Sequence, residues 1–221
     1  MFIGHFAVGF ASKRVAPRAS LGTLMIAPLL ADLLWPVFLL LGIEQVRIVR
    51  SANPFTTLEF IAYPWSHSLL MLCVWGGLFA LLYFWRTRDS VAAWVIAAGV
   101  VSHWVLDWFA HQPDLPLIPG GGPKVGLGLW NSPAATIIVE ALMFVVGLAI
   151  YLRTTRARNL AGHLGMWSFV VVLLAFYVAS IAGPPPPNDR AIAIMGNIGW
   201  LLAIWIFWFD AQREPIGVSP G

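Results

Sequence analysis

Residues 91–111 read Val-Ala-Ala-Trp-Val-Ile-Ala-Ala-Gly-Val-Val-Ser-His-Trp-Val-Leu-Asp-Trp-Phe-Ala-His, and the rest of the chain is organised around them. As a helix rising about 1.5 Å per residue, the segment is long enough for the roughly 30 Å hydrocarbon core of a bilayer. Its last third carries His103, Asp107 and His111, four residues apart and therefore on one helical face. An ionisable residue in hydrocarbon costs at least about 2.5–3.5 kcal/mol, so such a cluster reads first as a functional site. Two imidazoles and a carboxylate on one face are what a metal ion requires. The same spacing also suits a buried polar cluster that ties helices together.

Composition agrees with a membrane setting. The 221 residues are 59% hydrophobic and 10% charged, with a mean hydropathy of +0.80, whereas soluble domains carry about a quarter charged residues. Twelve Trp and fourteen Phe fit aromatic belts at the two membrane interfaces. The formal charge is +3 and no basic run is dense, which excludes a nucleic-acid footprint. Cys73 is the single cysteine, so neither an intrachain disulfide nor a thiolate metal cluster is expected. Lys13, Arg14 and Arg18 follow the apolar residues 1–12, the reverse of a cleavable signal, and the N-terminus is expected to be kept.

Working outward from the central segment, spans are expected at residues 20–42, 67–85, 91–111, 133–152, 164–182 and 191–209. Residues 1–18 hold a shorter apolar helix, half-inserted or interfacial because it is too short to cross. The expected fold class is all-α, a polytopic transmembrane bundle forming one integral membrane domain over 1–221. Residues 43–66 read as a more polar loop, 112–131 as a Pro/Gly-rich connection, and the Pro run after Gly183 as a stiff extended loop. Of the 13 Lys and Arg, nine (Lys13, Arg14, Arg18, Arg86, Arg88, Arg153, Arg156, Arg158, Arg213) fall on one side and four (Arg47, Arg50, Lys124, Arg190) on the other. The positive-inside rule then places the C-terminus in the cytoplasm.

Depth sharpens the reading. Asp32 lies about 18 Å above the inner end of its span, and His103 at a similar height. Asp107 is one turn nearer the outside, Glu140 about two turns below the outer end of its span, and His67 at the outer mouth of its own. His5 joins this layer if the short helix descends from the outer side. Kept ionised, Asp32 needs a metal or another cation; kept neutral, it is a helix–helix hydrogen-bond partner. His111 is read as a ligand, a substrate-positioning group or a helix cap. Glu140 is read as a ligand, a general base or a buried tether. Asp114 reads as a turn residue and His163 as solvated. Gly120–Gly122 with Lys124 form no Walker motif and read as a flexible loop over the outer site.

Gly4-His5-Phe6, an acid in the first span, His67-Ser68 and His103-x-x-x-Asp107 together resemble the bacterial membrane-bound metal-dependent hydrolase family, itself distantly similar to zinc-dependent phospholipase C proteins. The resemblance covers about residues 1–111. It implies an inner-membrane protein in which His5, Asp32, His67, His103 and Asp107 gather around a divalent metal, zinc in the first instance. Two departures stand out. Ala31-Asp32-Leu33-Leu34 replaces the family's Pro-Asp-x-Asp, and Tyr63-Pro64-Trp65-Ser66 lacks its Arg-Gly. They imply fewer ions, a different substrate or lost hydrolysis.

Three functions follow. The first is hydrolysis of a lipid or other membrane-borne ester or phosphoester, with Asp107 or Glu140 accepting the proton of a metal-activated water. The second is transport through the same His/Asp cluster, which inverted repeats or broken helices would favour. The third is a structural or regulatory membrane protein. Membrane lipids are the expected partners, and no nucleophile elbow supports acyl transfer.

Overall fold

A computed structural model describes residues 1–217 and is all-α. Six helical segments are long and apolar enough to cross a membrane, and a seventh, shorter apolar helix precedes them. In order they are α1 (Ile3–Ser12), α2 (Leu21–Leu40), the single turn α3 (Pro64–His67), α4 (Leu69–Thr87), α5 (Ser90–Ala110), α6 (Pro133–Thr154), α7 (Leu160–Ala182), and the pair α8 (Asp189–Gly196) and α9 (Ile198–Asp210). Leucines and valines such as Leu81, Val145, Val171 and Leu201 are exposed along the outside. That is the surface of a multi-pass membrane protein, which presents apolar side chains to lipid.

Polar side chains set the helix starts. Ser20, Ser68, Asp89, Asn159 and Asn188 each accept a hydrogen bond from the backbone N–H three residues on, supplying an acceptor that the first turn lacks. These caps shift two of the expected boundaries. His67 lies before the second span, not in it, because Ser68 caps α4 and leaves His67 at the end of α3. The fifth span begins at Leu160, not 164, since Asn159 is its cap. His111 ends α5 as its C-cap. The sixth span is two helices, broken at Asn197.

The loops hold structure that hydropathy does not show. Strands β1 (Gln45–Ile48) and β2 (Leu58–Ala62) pair antiparallel in the connection between α2 and α3. Two short pairs follow, β3 (Leu115–Pro116) with β4 (Lys124–Val125), and β5 (Thr155–Ala157) with β6 (Arg213–Pro215).

Helix α2 runs through the middle, against α1, α5, α8 and α9, and α1 lies along α6. At that seam a Cβ on Gly147 would overlap the backbone of Ala7, so only glycine lets the two helices approach this closely. One apolar core joins α1, α6, α7 and α9 through Phe10, Tyr151, Phe169 and Phe209. A second joins α2, α4 and α5 through Leu24, Leu72, Ile96 and Val100. The polar residues of the site gather where α1, α2 and α5 meet, between the two cores.

At the opposite end Asp210 is a buried tie. Its carboxylate accepts from Lys13 Nζ (3.1 Å), the Leu21 N–H (2.6 Å) and Tyr151 Oη (2.9 Å), joining α1, α2, α6 and α9. Arg213 lies over the Tyr151 ring at 5.1 Å and donates to Thr155 and Gly162.

Candidate metal centre

Four imidazoles and two carboxylates from four segments converge at the α1–α2–α5 junction. On α5, His103 Nε2 lies 3.0 Å from Asp107 Oδ2, and His111 Nε2 lies 3.6 Å from the same oxygen. On α1, His5 Nε2 lies 3.1 Å from Asp107 Oδ1, and its ring stacks on that of His103 at 3.9 Å. His67, at the end of α3, places Nε2 3.6 Å from Asp32 Oδ1 and 4.0 Å from Asp107 Oδ2. Two groups of possible ligands result: His5, His103 and Asp107, and Asp32, His67 and His103. The amino nitrogen of Met1 also reaches Asp107 Oδ1, at 2.5 Å.

The other ring nitrogens fix which face of each imidazole looks inward. His103 Nδ1 donates to the Pro28 carbonyl at 2.8 Å, since a carbonyl only accepts. His111 Nδ1 donates to Asp114 Oδ1 at 2.9 Å. Ser66 Oγ donates to Glu44 Oε2 at 2.6 Å, so at 2.7 Å from His67 Nδ1 it is the acceptor. In all three rings Nδ1 is engaged away from the site, and Nε2 is the nitrogen that faces the carboxylates. This is the arrangement by which outer partners orient metal-bound histidines.

The geometry fits a cation. His103 Nε2 and His5 Nδ1 are buried and have no hydrogen-bond partner among the described residues. His103 Nε2 faces a carboxylate oxygen at 3.0 Å, a contact that needs a proton or a metal cation between the two atoms. Donors bound to one tetrahedral ion at about 2.0–2.1 Å stand about 3.3 Å apart, and the nitrogen–carboxylate separations here are 3.0–4.0 Å. This buried His/Asp group could hold a metal ion. No family model, characterised protein or solved structure matches the chain. The chemistry of the site therefore rests on its own geometry.

Glu140 meets the site from behind. Its Oε2 accepts from the N–H groups of Phe2 (2.9 Å) and Gly4 (3.2 Å), capping α1 with negative charge at the positive end of its dipole. Of the readings open for Glu140, this contact is the tether, and it sets where His5 stands. Asp114, read as a turn residue, in addition anchors both His111 and the Tyr63 hydroxyl, which donates to it at 3.2 Å. Burial, with Asp114 beside it, pushes the Tyr63 hydroxyl up, so it stays a donor. Gly122 lies in the β3–β4 connection and Lys124 opens β4, and His163 is exposed on α7, away from the cluster.

Sequence reasoning missed Glu44. It is 2% exposed and accepts from the N–H groups of Trp65 and Ser66 as well as from Ser66 Oγ. Burial pushes its carboxyl up, against the pull of the Ser66 hydrogen bonds. A lone acid just after a span carries no periodic signal.

Access is one-sided. The side chains of His5, His67, His103 and Asp107 are 0–4% exposed, whereas that of Asp32 is 42% exposed. The cage opens at Asp32.

Proposed function

We propose that this chain is a bacterial inner-membrane hydrolase, with its C-terminus in the cytoplasm, that uses a divalent metal, zinc, to cleave a lipid or other membrane-borne ester or phosphoester. The observation that carries the reading is the convergence of four imidazole Nε2 atoms on two carboxylates, three of them with their Nδ1 protons already engaged. Imidazole donors suit zinc among other transition metals, and zinc is the ion that the family resemblance implies. Such an ion supplies a Lewis acid that lowers the pKa of water towards about 7 and polarises the oxygen under attack.

The chain's own residues supply the rest. His5, His67 and His103 hold the ion with Asp107, and Asp32 completes the set on the open side. His111 lies at the outer edge, where it ligates or meets substrate. Asp107 is the carboxylate best placed to take a proton from water, while Glu140 acts as a positioning residue through α1. The opening at Asp32, in the middle of a helix that faces apolar neighbours, suits an amphiphile whose acyl chains stay among lipids.

The test is hydrolysis of fluorogenic and radiolabelled lipid esters and phosphoesters by detergent-purified protein. The assay is run after chelation, after zinc is restored, and beside Asp107→Asn. Zinc-dependent turnover absent from the variant supports the proposal. Turnover that survives both chelation and the substitution contradicts it.

One observation favours a second reading. The break at Asn197 separates Gly196 and Gly199, which pack against Pro36 and Leu33 on either side of Trp35 in α2, close to Asp32. A discontinuous helix beside an accessible intramembrane acid is a transporter feature. Proton- or cation-coupled flux in proteoliposomes, lost in Asp32→Asn, would support that reading over hydrolysis.

A further inference from the structure

The β1–β2 hairpin, the end of α2 and the start of α8 enclose a cavity of about 670 Å³, within the roughly 300–1,000 Å³ typical of ligand sites. None of the imidazoles of the metal centre lines it, and neither does Asp32. Its charges come from Arg47 on β1, from Asp189 and Arg190 on α8, and from Glu44; Leu39 and Leu40 of α2 give it an apolar wall. Since α2 ends at Leu40 and α8 begins at Asp189, the cavity lies where two spans leave the hydrocarbon. Lipid headgroups occupy that level.

The charges are unusual for their place. Only four of the 13 Lys and Arg fall on this side in the sequence division, and two of them line this one cavity. Arg47 Nη1 lies 3.3 Å from Glu59 Oε2, with the two side chains 66% and 50% exposed. Such an exposed pair is weak, and it leaves Nε and Nη2 of Arg47 to donate elsewhere. Arg190 is exposed, and its guanidinium has no ion-pair partner among the described residues. Guanidinium forks match phosphate oxygens in pairs.

The acids differ in what they have left to offer. Glu44 is committed to the N–H groups of Trp65 and Ser66 and to Ser66 Oγ. Asp189 Oδ1 accepts from the Arg190 N–H at 2.8 Å, which leaves Oδ2. Two guanidiniums and one available carboxylate complement a phosphodiester that carries its own cation. A primary ammonium brings three N–H donors to such a carboxylate; a trimethylated one brings none.

We propose that this cavity binds the headgroup of a zwitterionic phospholipid, its phosphodiester held by Arg47 and Arg190 and its primary ammonium by Asp189. The site stands independently of the metal-centre reading.

Native mass spectrometry of delipidated, detergent-purified protein tests this, with phosphatidylethanolamine, phosphatidylcholine and phosphatidylglycerol titrated separately and inorganic phosphate as competitor. Wild type should hold one phosphatidylethanolamine in preference to the other two lipids. Affinity should fall about tenfold or more in an Arg47→Gln, Arg190→Gln double variant. Asp189→Asn should lose the preference for ethanolamine while still binding lipid. Circular dichroism checks folding, and Arg190→Gln alone replaces the double variant if that fails to fold. Equal retention in wild type and the arginine variant overturns the site. Equal binding of all three lipids by wild type, or an undiminished ethanolamine preference in Asp189→Asn, overturns the ammonium assignment. Displacement of the lipid by inorganic phosphate overturns the lipid source and leaves a site for free anions.

Discussion

The carboxylate of Asp107 stands 3.0 Å from Nε2 of His103, one turn earlier on the same helix, while His103 Nδ1 is held on its other side by the Pro28 carbonyl. Asp107→Asn keeps the size of the side chain and removes its charge. Zinc affinity should fall by more than the roughly 10–100-fold typical of an outer-partner mutation. Helix content by circular dichroism should stay unchanged. Competition with a chromophoric chelator measures the affinity.

Ser66 links the buried Glu44 to His67 without facing the site itself. Ser66→Ala should weaken zinc binding by about 10–100-fold, because His67 loses the partner that fixes its tautomer. The metal-free protein should lose about 1–3 kcal/mol, as one Glu44 oxygen loses its hydroxyl donor. Chelator competition and unfolding in detergent separate the two effects.

The spacing of His103, Asp107 and His111 was legible because three residues four apart share a helical face whatever surrounds them. Asp32 was legible for a similar reason, as an acid in an uninterrupted apolar run. The position of His5 was only conditional: the direction of α1 depends on its contact with α6 at Gly147, which no local pattern encodes. Glu44 escaped notice because it meets Ser66 only after the intervening β1–β2 hairpin folds back, 22 residues later. The β5–β6 pair joins Arg156 and Glu214, 58 residues apart. The break at Asn197 is invisible to hydropathy, since apolar residues continue on both sides.

Close helix contact at Gly147 gives a test of how the fold holds the site. Gly147→Ala should destabilise by about 1–3 kcal/mol through overpacking and should also weaken zinc binding, because α1 carries His5. Gly77→Ala, on an open face of α4 with nothing within 4 Å, is the control. It should be neutral or stabilising by about 0.5–1 kcal/mol. Thermal unfolding and chelator competition on both variants decide the matter.

The buried tie at Asp210 should matter for stability alone. Asp210→Ala strands Lys13, which is 5% exposed, beside the unpaired Leu21 N–H and Tyr151 hydroxyl. Breaking such a pair costs about 3–5 kcal/mol. Unfolding in mixed detergent should show the loss, and the zinc content of the protein that remains folded should be unchanged.

Hydrogen bonding from Arg156, at 2.7 Å, holds the Glu214 carboxyl below its ordinary range. A depressed carboxyl pKa contributes stability that is present above the unfolded value, about 4.3, and is lost as pH falls through the lower folded one. The melting temperatures of wild type and Glu214→Gln should therefore differ near neutral pH and converge in acid. A difference that grows on acidification would contradict this sign.

X-ray absorption of detergent-purified protein, isolated without chelators and offered zinc, addresses the central claim most directly. The account predicts nitrogen and oxygen neighbours at about 2.0–2.1 Å with the outer scattering of imidazole rings, and loss of that signal in Asp107→Asn. A protein that binds no zinc, or zinc whose surroundings are the same in the variant, would contradict a metal centre built on Asp107.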